Sequence, residues 1–196
     1  CGLRSVLRTE GVLHNKHIPM RYRRASSSQR LALLQGLMDS DGYCNRNGQV
    51  SFTNTNKILA EHALELILSL GYKASICEDR ATLYGKDCGP CFTIKWMATD
   101  PVFRLGRKLA RQKTKNLRRT TRFRYITDCQ PINPVPMRCI TVDNPSGLYL
   151  AGRQMVPTHN TAGLLLAAAQ YIEVPGYSAL LIRKSFPQLM NPDSLI

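Results

Sequence analysis

The segment Lys57 to Leu70 constrains the fold most tightly. Ile58, Leu59, Ala63, Leu66, Ile67 and Leu70 recur at helical spacing and form one apolar face. Such a face needs an apolar surface to cover it. Asn54 or Thr55 is placed to cap its start, and Gly71 stands at the C′ position that ends a helix. A second helix, Gln29 to Met38, has Ser26 to Ser28 before it as caps and runs into Asp39-Ser40-Asp41-Gly42. Between and after the helices, Val50 to Thr53, Tyr72 to Cys77, Ala81 to Tyr84 and Phe92 to Trp96 read as strands, with Gly85 to Pro90 as a turn. The order helix, strand, helix, strands predicts an α+β fold.

Charge narrows the function. The formal net charge is +14, and the whole excess lies before Thr161. Ten Lys or Arg residues and no acid fall between Arg104 and Arg124. The first of these lie on a predicted helix, Val102 to Gln112, and the last on an alternating stretch, Arg122 to Ile126. A polyanion, with nucleic acid foremost, is the expected partner. No apolar run approaches the roughly 20 residues of a membrane span, and no signal-peptide pattern opens the chain. Seven cysteines at irregular spacing suit reduced thiols in a cytoplasm rather than a secreted disulfide scaffold. Cys88-Gly89-Pro90-Cys91 has the spacing of half a zinc site without a second pair, and reads as a turn between strands.

The stretch Leu34-Gln35-Gly36-Leu37-Met38-Asp39-Ser40-Asp41-Gly42 resembles the motif that names the LAGLIDADG homing endonucleases. Small residues at Gly36 and Ser40 let two such helices pack backbone to backbone, each delivering a carboxylate at its C-terminal end. Two carboxylates there oppose each other and the helix dipole, a cost that a hard divalent cation removes. The resemblance implies Asp41 as the Mg²⁺-binding acid, with Ser40 beside it. It also implies that Lys16, in the block Asn15-Lys16-His17-Ile18-Pro19, polarises the attacking water, with Lys108 as a second candidate. Strands Val50 to Thr53 and Phe92 to Trp96 would face double-stranded DNA, with Arg46, Gln49 and Lys95 near it. Arg107, Arg111, Lys113, Lys115, Arg118 and Arg119 would meet phosphates. An enzyme of this family needs two such helices; this sequence contains one, so the other is expected from elsewhere.

A Pro-rich link, Pro131 to Pro136, precedes a second kind of sequence. Arg138 to Val142 and Leu148 to Ala151 form a strand–turn–strand pattern around Asp143-Asn144-Pro145-Ser146-Gly147, followed by Thr158-His159-Asn160-Thr161. Asn160 can close its carboxamide nitrogen onto its own carbonyl carbon, a five-membered cyclisation with high effective molarity. His159 can protonate the leaving amine, and Thr161 carries a nucleophilic hydroxyl. The whole segment resembles the C-terminal blocks of inteins, with a Hint-type β-fold and no cofactor for splicing. Thr158 and Cys139 match the subclass that starts splicing with an internal cysteine (class 3), whose N-terminal tryptophan has no counterpart here because Trp96 lies in the endonuclease-like region. The N-terminal splicing blocks are expected from a missing half, in cis or in trans, and Cys1 is read as an arbitrary or split-point residue.

Ala162 to Tyr171 reads as an apolar helix and Ser178 to Ile182 as a buried-type strand. With Leu180 to Phe186 they resemble the start of a phage terminase large-subunit P-loop ATPase, in which Thr161 would complete the phosphate loop. The expected organisation is therefore 1–24, the end of a preceding endonuclease repeat; 25–128, a LAGLIDADG repeat; 129–160, the splicing segment; and 161–196, a host α/β fragment. That host points to the cytoplasm of a bacterium carrying a phage or prophage. The competing reading is a free-standing DNA-binding or nicking protein in which His159-Asn160 is incidental.

Overall fold

A computed structural model describes residues 2–114, 118, 121, 123–128, 130, 133, 136, 140, 142–159, 173, 175 and 176. It divides into two compact units, Cys1–Arg124 with Arg153–Met155, and Tyr125–Gly152 with Val156–Ile196.

The first unit runs α1 (Leu3–Thr9), α2 (Met20–Arg23), α3 (Ser27–Asp41), β1 (Gly42–Cys44), β2 (Val50–Asn54), α4 (Lys57–Ser69), β3 (Ala74–Leu83), β4 (Lys86–Trp96) and α5 (Gly106–Leu109). The strands form one antiparallel sheet in the order β1-β2-β4-β3. Alternation is clean at its centre. Val50, Phe52, Ile94 and Trp96 point to the buried side, and α4 places Leu59, Ala63, Leu66 and Ile67 in the same core. The α4 stripe is thus covered by the sheet, as its spacing required. Leu34 and Met38 of α3 and Ile18 of the Lys16 block join that core, so the Lys16 block belongs to the same packed body as α3, α4 and the sheet.

Several local expectations change. Helix α3 starts in a capping box: the Gln29 amide donates to Ser26 Oγ, and the Ser26 amide donates to Gln29 Oε1. For α4 the cap is Asn56, which accepts from the Leu59 amide at 3.1 Å, while Asn54 accepts from the Asn56 amide and turns the chain into position. Strands β3 and β4 are one long hairpin. Its turn is Tyr84-Gly85, both at positive φ (51° and 77°), not Gly85 to Pro90. Cys88-Gly89-Pro90-Cys91 therefore lies within β4, where the register slips between Arg80 and Thr82. Pro90 is tolerated because β2 ends opposite Phe92, leaving β4 with a single neighbour there.

The predicted helix Val102 to Gln112 shrinks to α5 with a short turn after it. Val102 and Phe103 are buried in the core instead, because Gln112 Oε1 holds the Val102 amide and Asp39 holds those of Arg104 and Leu105. Residues 123–126 form no strand.

In the second unit, β5 (Leu148–Ala151) pairs antiparallel with β6 (Val156–His159), from Leu148↔His159 to Ala151↔Val156. The partner of β5 is thus the strand after it. Arg138, Cys139 and Thr141 lie outside the described residues, as do the helix and strand expected at 162–171 and 178–182.

Candidate functional site

Helix α3 ends where the core allows only glycine. A Cβ on Gly42 would sit 2.5 Å from the Met38 carbonyl oxygen and 2.6 Å from the Met38 side chain, so the last residue of the motif is fixed by packing. Just before it, the two acids part company. The Asp39 carboxylate accepts from the amides of Arg104 (3.0 Å) and Leu105 (3.1 Å). One turn earlier, Gln35 donates to Pro101 O and accepts from Arg104 Nε. Asp39 is therefore a clip holding the 101–105 segment. The Asp41 carboxylate is exposed and has no hydrogen bond or ion pair among the described residues.

Lys108 completes the clip from the other side. Its Nζ donates towards the carbonyl oxygens of Gly42 (2.7 Å), Asp39 (2.8 Å), Met38 (2.9 Å) and Ser40 (3.4 Å), and lies 5.7 Å from the Phe103 ring centroid. The Asp39 and Ser40 carbonyls are among those a helix leaves unsatisfied at its C-terminus, where the dipole also favours a cation. Met38 O already accepts from the Gly42 amide, and Gly42 begins β1. An ammonium has three protons, and here all of them are spent. Lys108 is built as a cap on α3, with no proton left for polarising water.

Lys16 is held differently. Asn56, the α4 cap, donates from Nδ2 to Lys16 O at 3.1 Å, and the Ile18 amide donates to His62 Nδ1 at 3.2 Å. Arg23 and Arg24 both pair with Glu65, and Arg23 Nε also donates to Ile18 O. Burial alone would raise the Glu65 carboxyl, but bonds from Arg24 and Arg23 outweigh it and hold it below the usual range. Burial, assisted by Arg23, lowers His62, which suits its role as a neutral acceptor. The Lys16 side chain is exposed. Its backbone is tied to Asn56, just past β2, and Phe52 of β2 lies across from Gly42, so the Lys16 block and the residue after Asp41 both lie toward one end of β2.

The open face of the sheet carries Tyr43, Ser51, Thr53, Ser75, Cys77 and Lys95, with Thr53 and Thr93 sharing a hydroxyl contact at 3.0 Å. Lys95 is on it, opposite Ser51. Arg46 is exposed in the β1–β2 turn, and the Gln49 amide is held by Asn45 Oδ1. Arg107, Arg111, Lys113 and Arg118 are exposed; Lys115 and Arg119 lie outside the described residues. Tyr43 escaped the sequence reading because β1 is only three residues long, too short for a periodic signal.

As a metal site these residues are half complete. Asp41 is a free carboxylate, and the Ser40 hydroxyl donates to Leu37 O at 3.0 Å. No group of three or more His, Cys, Asp or Glu able to hold a metal occurs among the described residues. One carboxylate fits a hard cation that completes its shell with water and phosphate oxygens.

In the second unit Asn144 shapes the turn before β5. Its Oδ1 accepts from the Ser146 amide and its Nδ2 donates to Leu148 O. Gly147, at φ +66°, lies against the His159 imidazole; a Cβ there would be 2.8 Å from Nε2. Thr158 Oγ1 donates to Val156 O at 3.0 Å. The Asn160 and Thr161 side of the junction, with Cys139, falls outside the described residues.

A family model described as a LAGLIDADG-like domain matches residues 28–121, from the second residue of α3 to beyond α5. Residues 28–121 thus form a LAGLIDADG-like domain. The chain is 44% identical over 165 residues to a replicative DNA helicase DnaB of Mycobacterium intracellulare, a match covering 83% of this chain and 29% of that protein. It is 58% identical over 40 residues to a replicative DNA helicase DnaB of Mycobacterium leprae (strain TN), 20% of this chain and 7% of that one. The chain spans less than a third of the length of the curated relatives it matches. No helix among the described residues is long and apolar enough to cross a membrane.

Proposed function

We propose that this chain is the C-terminal part of an intein, joining half of a LAGLIDADG homing endonuclease to the splice junction that excises it. The observation that carries the reading is the pairing of two parts in one chain. A LAGLIDADG-like domain at residues 28–121 is followed by a ribbon ending in His159, immediately before Asn160-Thr161. The relatives favour the same view. A match covering 83% of this chain takes in most of that domain, yet it lies inside a protein named as a helicase. A nuclease-type domain within a helicase is what an intervening sequence looks like.

Splicing would end with the Asn160 carboxamide nitrogen attacking its own carbonyl carbon, forming a succinimide and breaking the Asn160–Thr161 bond. His159 protonates the departing amine. Before that, the Cys139 thiol would attack the upstream junction carbonyl, breaking that amide and releasing its amine. The acyl group would pass to the Thr161 hydroxyl with the thiol freed; the ester then shifts onto the Thr161 amine that Asn160 cyclisation releases. Residues after Thr161 are host sequence, read as the phosphate-loop helix of a terminase-like ATPase. The missing splicing half comes in cis or in trans. In the endonuclease, Asp41 and a carboxylate from a second such helix would hold Mg²⁺, with Ser40 at its edge. The open space beside Gly36 leaves α3 room for that helix. Mg²⁺ would supply Lewis-acid stabilisation of a phosphodiester oxygen. Lys16 then orients the attacking water, while Arg46, Gln49, Lys95 and the basic residues from Arg107 onward hold double-stranded DNA.

Mass spectrometry of the expressed chain tests the splicing half of the proposal. Cleavage at Asn160–Thr161, abolished by Asn160→Ala, is expected, as is joining to a cognate N-terminal fragment. A chain that stays intact with and without that fragment sinks it. For the nuclease, Asp41→Asn should abolish Mg²⁺-dependent cleavage by the reconstituted protein.

A further inference from the structure

A solvent-open cavity of about 210 Å³ lies between β1 and α5, lined by Gly42, Tyr43, Cys44, Arg107, Lys108 and Arg111. No carboxylate lines it among the described residues. Lys108 adds positive field but no free donor, since its protons point at the α3 carbonyls. Arg107 and Arg111 stand four residues apart, on one side of the α5 turn, and neither guanidinium has an ion pair or hydrogen bond among the described residues. The described ion pairs use Arg21, Arg23, Arg24 and Arg80 instead. Tyr43 is 57% exposed, and its hydroxyl has no partner among the described residues. Arg111 is near enough to Cys44 to work against the upward push that burial gives that thiol.

Two adjacent guanidiniums without a counter-ion repel each other and Lys108. An anion relieves this, and planar N–H forks suit phosphate oxygens above other anions. The space takes one phosphoryl group with its sugar and is too small for a base pair. We propose that this cavity is a seat for a single phosphoryl group, filled by one backbone phosphate of duplex DNA, gripped by Arg107 and Arg111 with the Tyr43 hydroxyl as third donor. The DNA clause rests on the endonuclease reading above; the phosphoryl seat does not. Lys108 shares the α5 turn and ties it to the carbonyls around Asp41. A phosphate in the seat therefore stands at a fixed offset from that carboxylate. The seat would set which phosphodiester lies before Asp41, something a diffuse basic surface cannot do.

The test uses the full chain, with the buried Trp96 as the single fluorescent reporter of unfolding. Inorganic phosphate is titrated against chloride at matched ionic strength. Phosphate should raise the melting temperature of the wild type and of the charge-matched control Arg4→Ala/Arg8→Ala, whose side chains are exposed on α1. It should have no such effect on Arg107→Ala/Arg111→Ala, and Arg107→Lys/Arg111→Lys should keep only part of it. In duplex binding, the slope of log K against log salt should fall by about 1 in Arg107→Ala/Arg111→Ala, one phosphate's worth. Equal stabilisation of the wild type and Arg107→Ala/Arg111→Ala, or none of either, overturns the seat. If phosphate stabilises selectively but duplex DNA does not compete for it, the DNA clause fails and the phosphoryl seat stands. Absence of any duplex binding, with the phosphate response intact, would count against the endonuclease reading instead.

Discussion

The two units differ in what holds them. The first encloses a contiguous core in which Phe52, Ile94, Trp96, Leu66 and Ile67 are all nearly inaccessible. In the second, the described residues form a two-stranded ribbon of four residues per strand, none of them buried. An isolated two-stranded hairpin is marginal in water. The contrast teaches that the LAGLIDADG-like region carries its own stability, whereas the β5–β6 ribbon has hydrogen bonds and a shaped turn but no core of its own among those residues.

The contrast can be broken by mutation. Phe52→Ala should cost about 3–5 kcal/mol, read by urea unfolding through Trp96 emission. A loss below ~1 kcal/mol would mean that the first unit's core is not what stabilises it. Lys108→Met should come next, at about 2 kcal/mol, because it strips a charged donor from several helix-end carbonyls. If instead it leaves unfolding unchanged but removes nuclease activity from the reconstituted enzyme, Lys108 is a catalytic group rather than a cap.

A smaller effect is expected from pH. His62 is lowered by burial, with Arg23 and His17 adding to the shift and Glu65 and Glu61 opposing it. The unfolded chain then binds the proton more readily than the folded one. Its contribution is complete above the ordinary histidine value of roughly 6.5 and is lost as pH falls through the lower folded value. Unfolding curves from pH 8 to 5 should show this decline, and His62→Gln should flatten it. Smallest on global stability is Gly147→Ala: no change in Trp96-monitored melting, but displacement of the His159 ring, visible in its NMR shifts. Slower cleavage at Asn160–Thr161 should accompany it. A shifted melting curve would show that the ribbon contributes to the first unit's stability after all.

Much of the first unit was legible because its signals are local. The α4 stripe, a serine cap before α3 and Gly71 at φ +88° arise from spacing and capping within a few residues. Val50 to Thr53 and Phe92 to Trp96 were each legible as strands, and the structure pairs them antiparallel, Val50 opposite Trp96. Other features were hidden. The hairpin turn carries Tyr84 where Asn or Gly is usual, so the Gly-Pro further on drew the turn away from it. Val102 and Phe103 looked helical because their neighbours are, yet Gln112 and Asp39 take the amides a helix would need.

The site divides along the same line. Sequence by itself determined that an acid-tipped helix, a lysine block and a Thr-His-Asn-Thr segment exist, because each is written in contiguous residues. Only the tertiary structure decided how the charges are used. It set Asp39 to clipping a loop, left Asp41 open, turned Lys108 into a helix cap and placed Arg107 and Arg111 with Tyr43 around one cavity. The reason is physical: a carboxylate or an ammonium is chemically the same residue whether it binds a backbone or a ligand. What distinguishes the two is which distant polar group the fold places within about 3 Å of it.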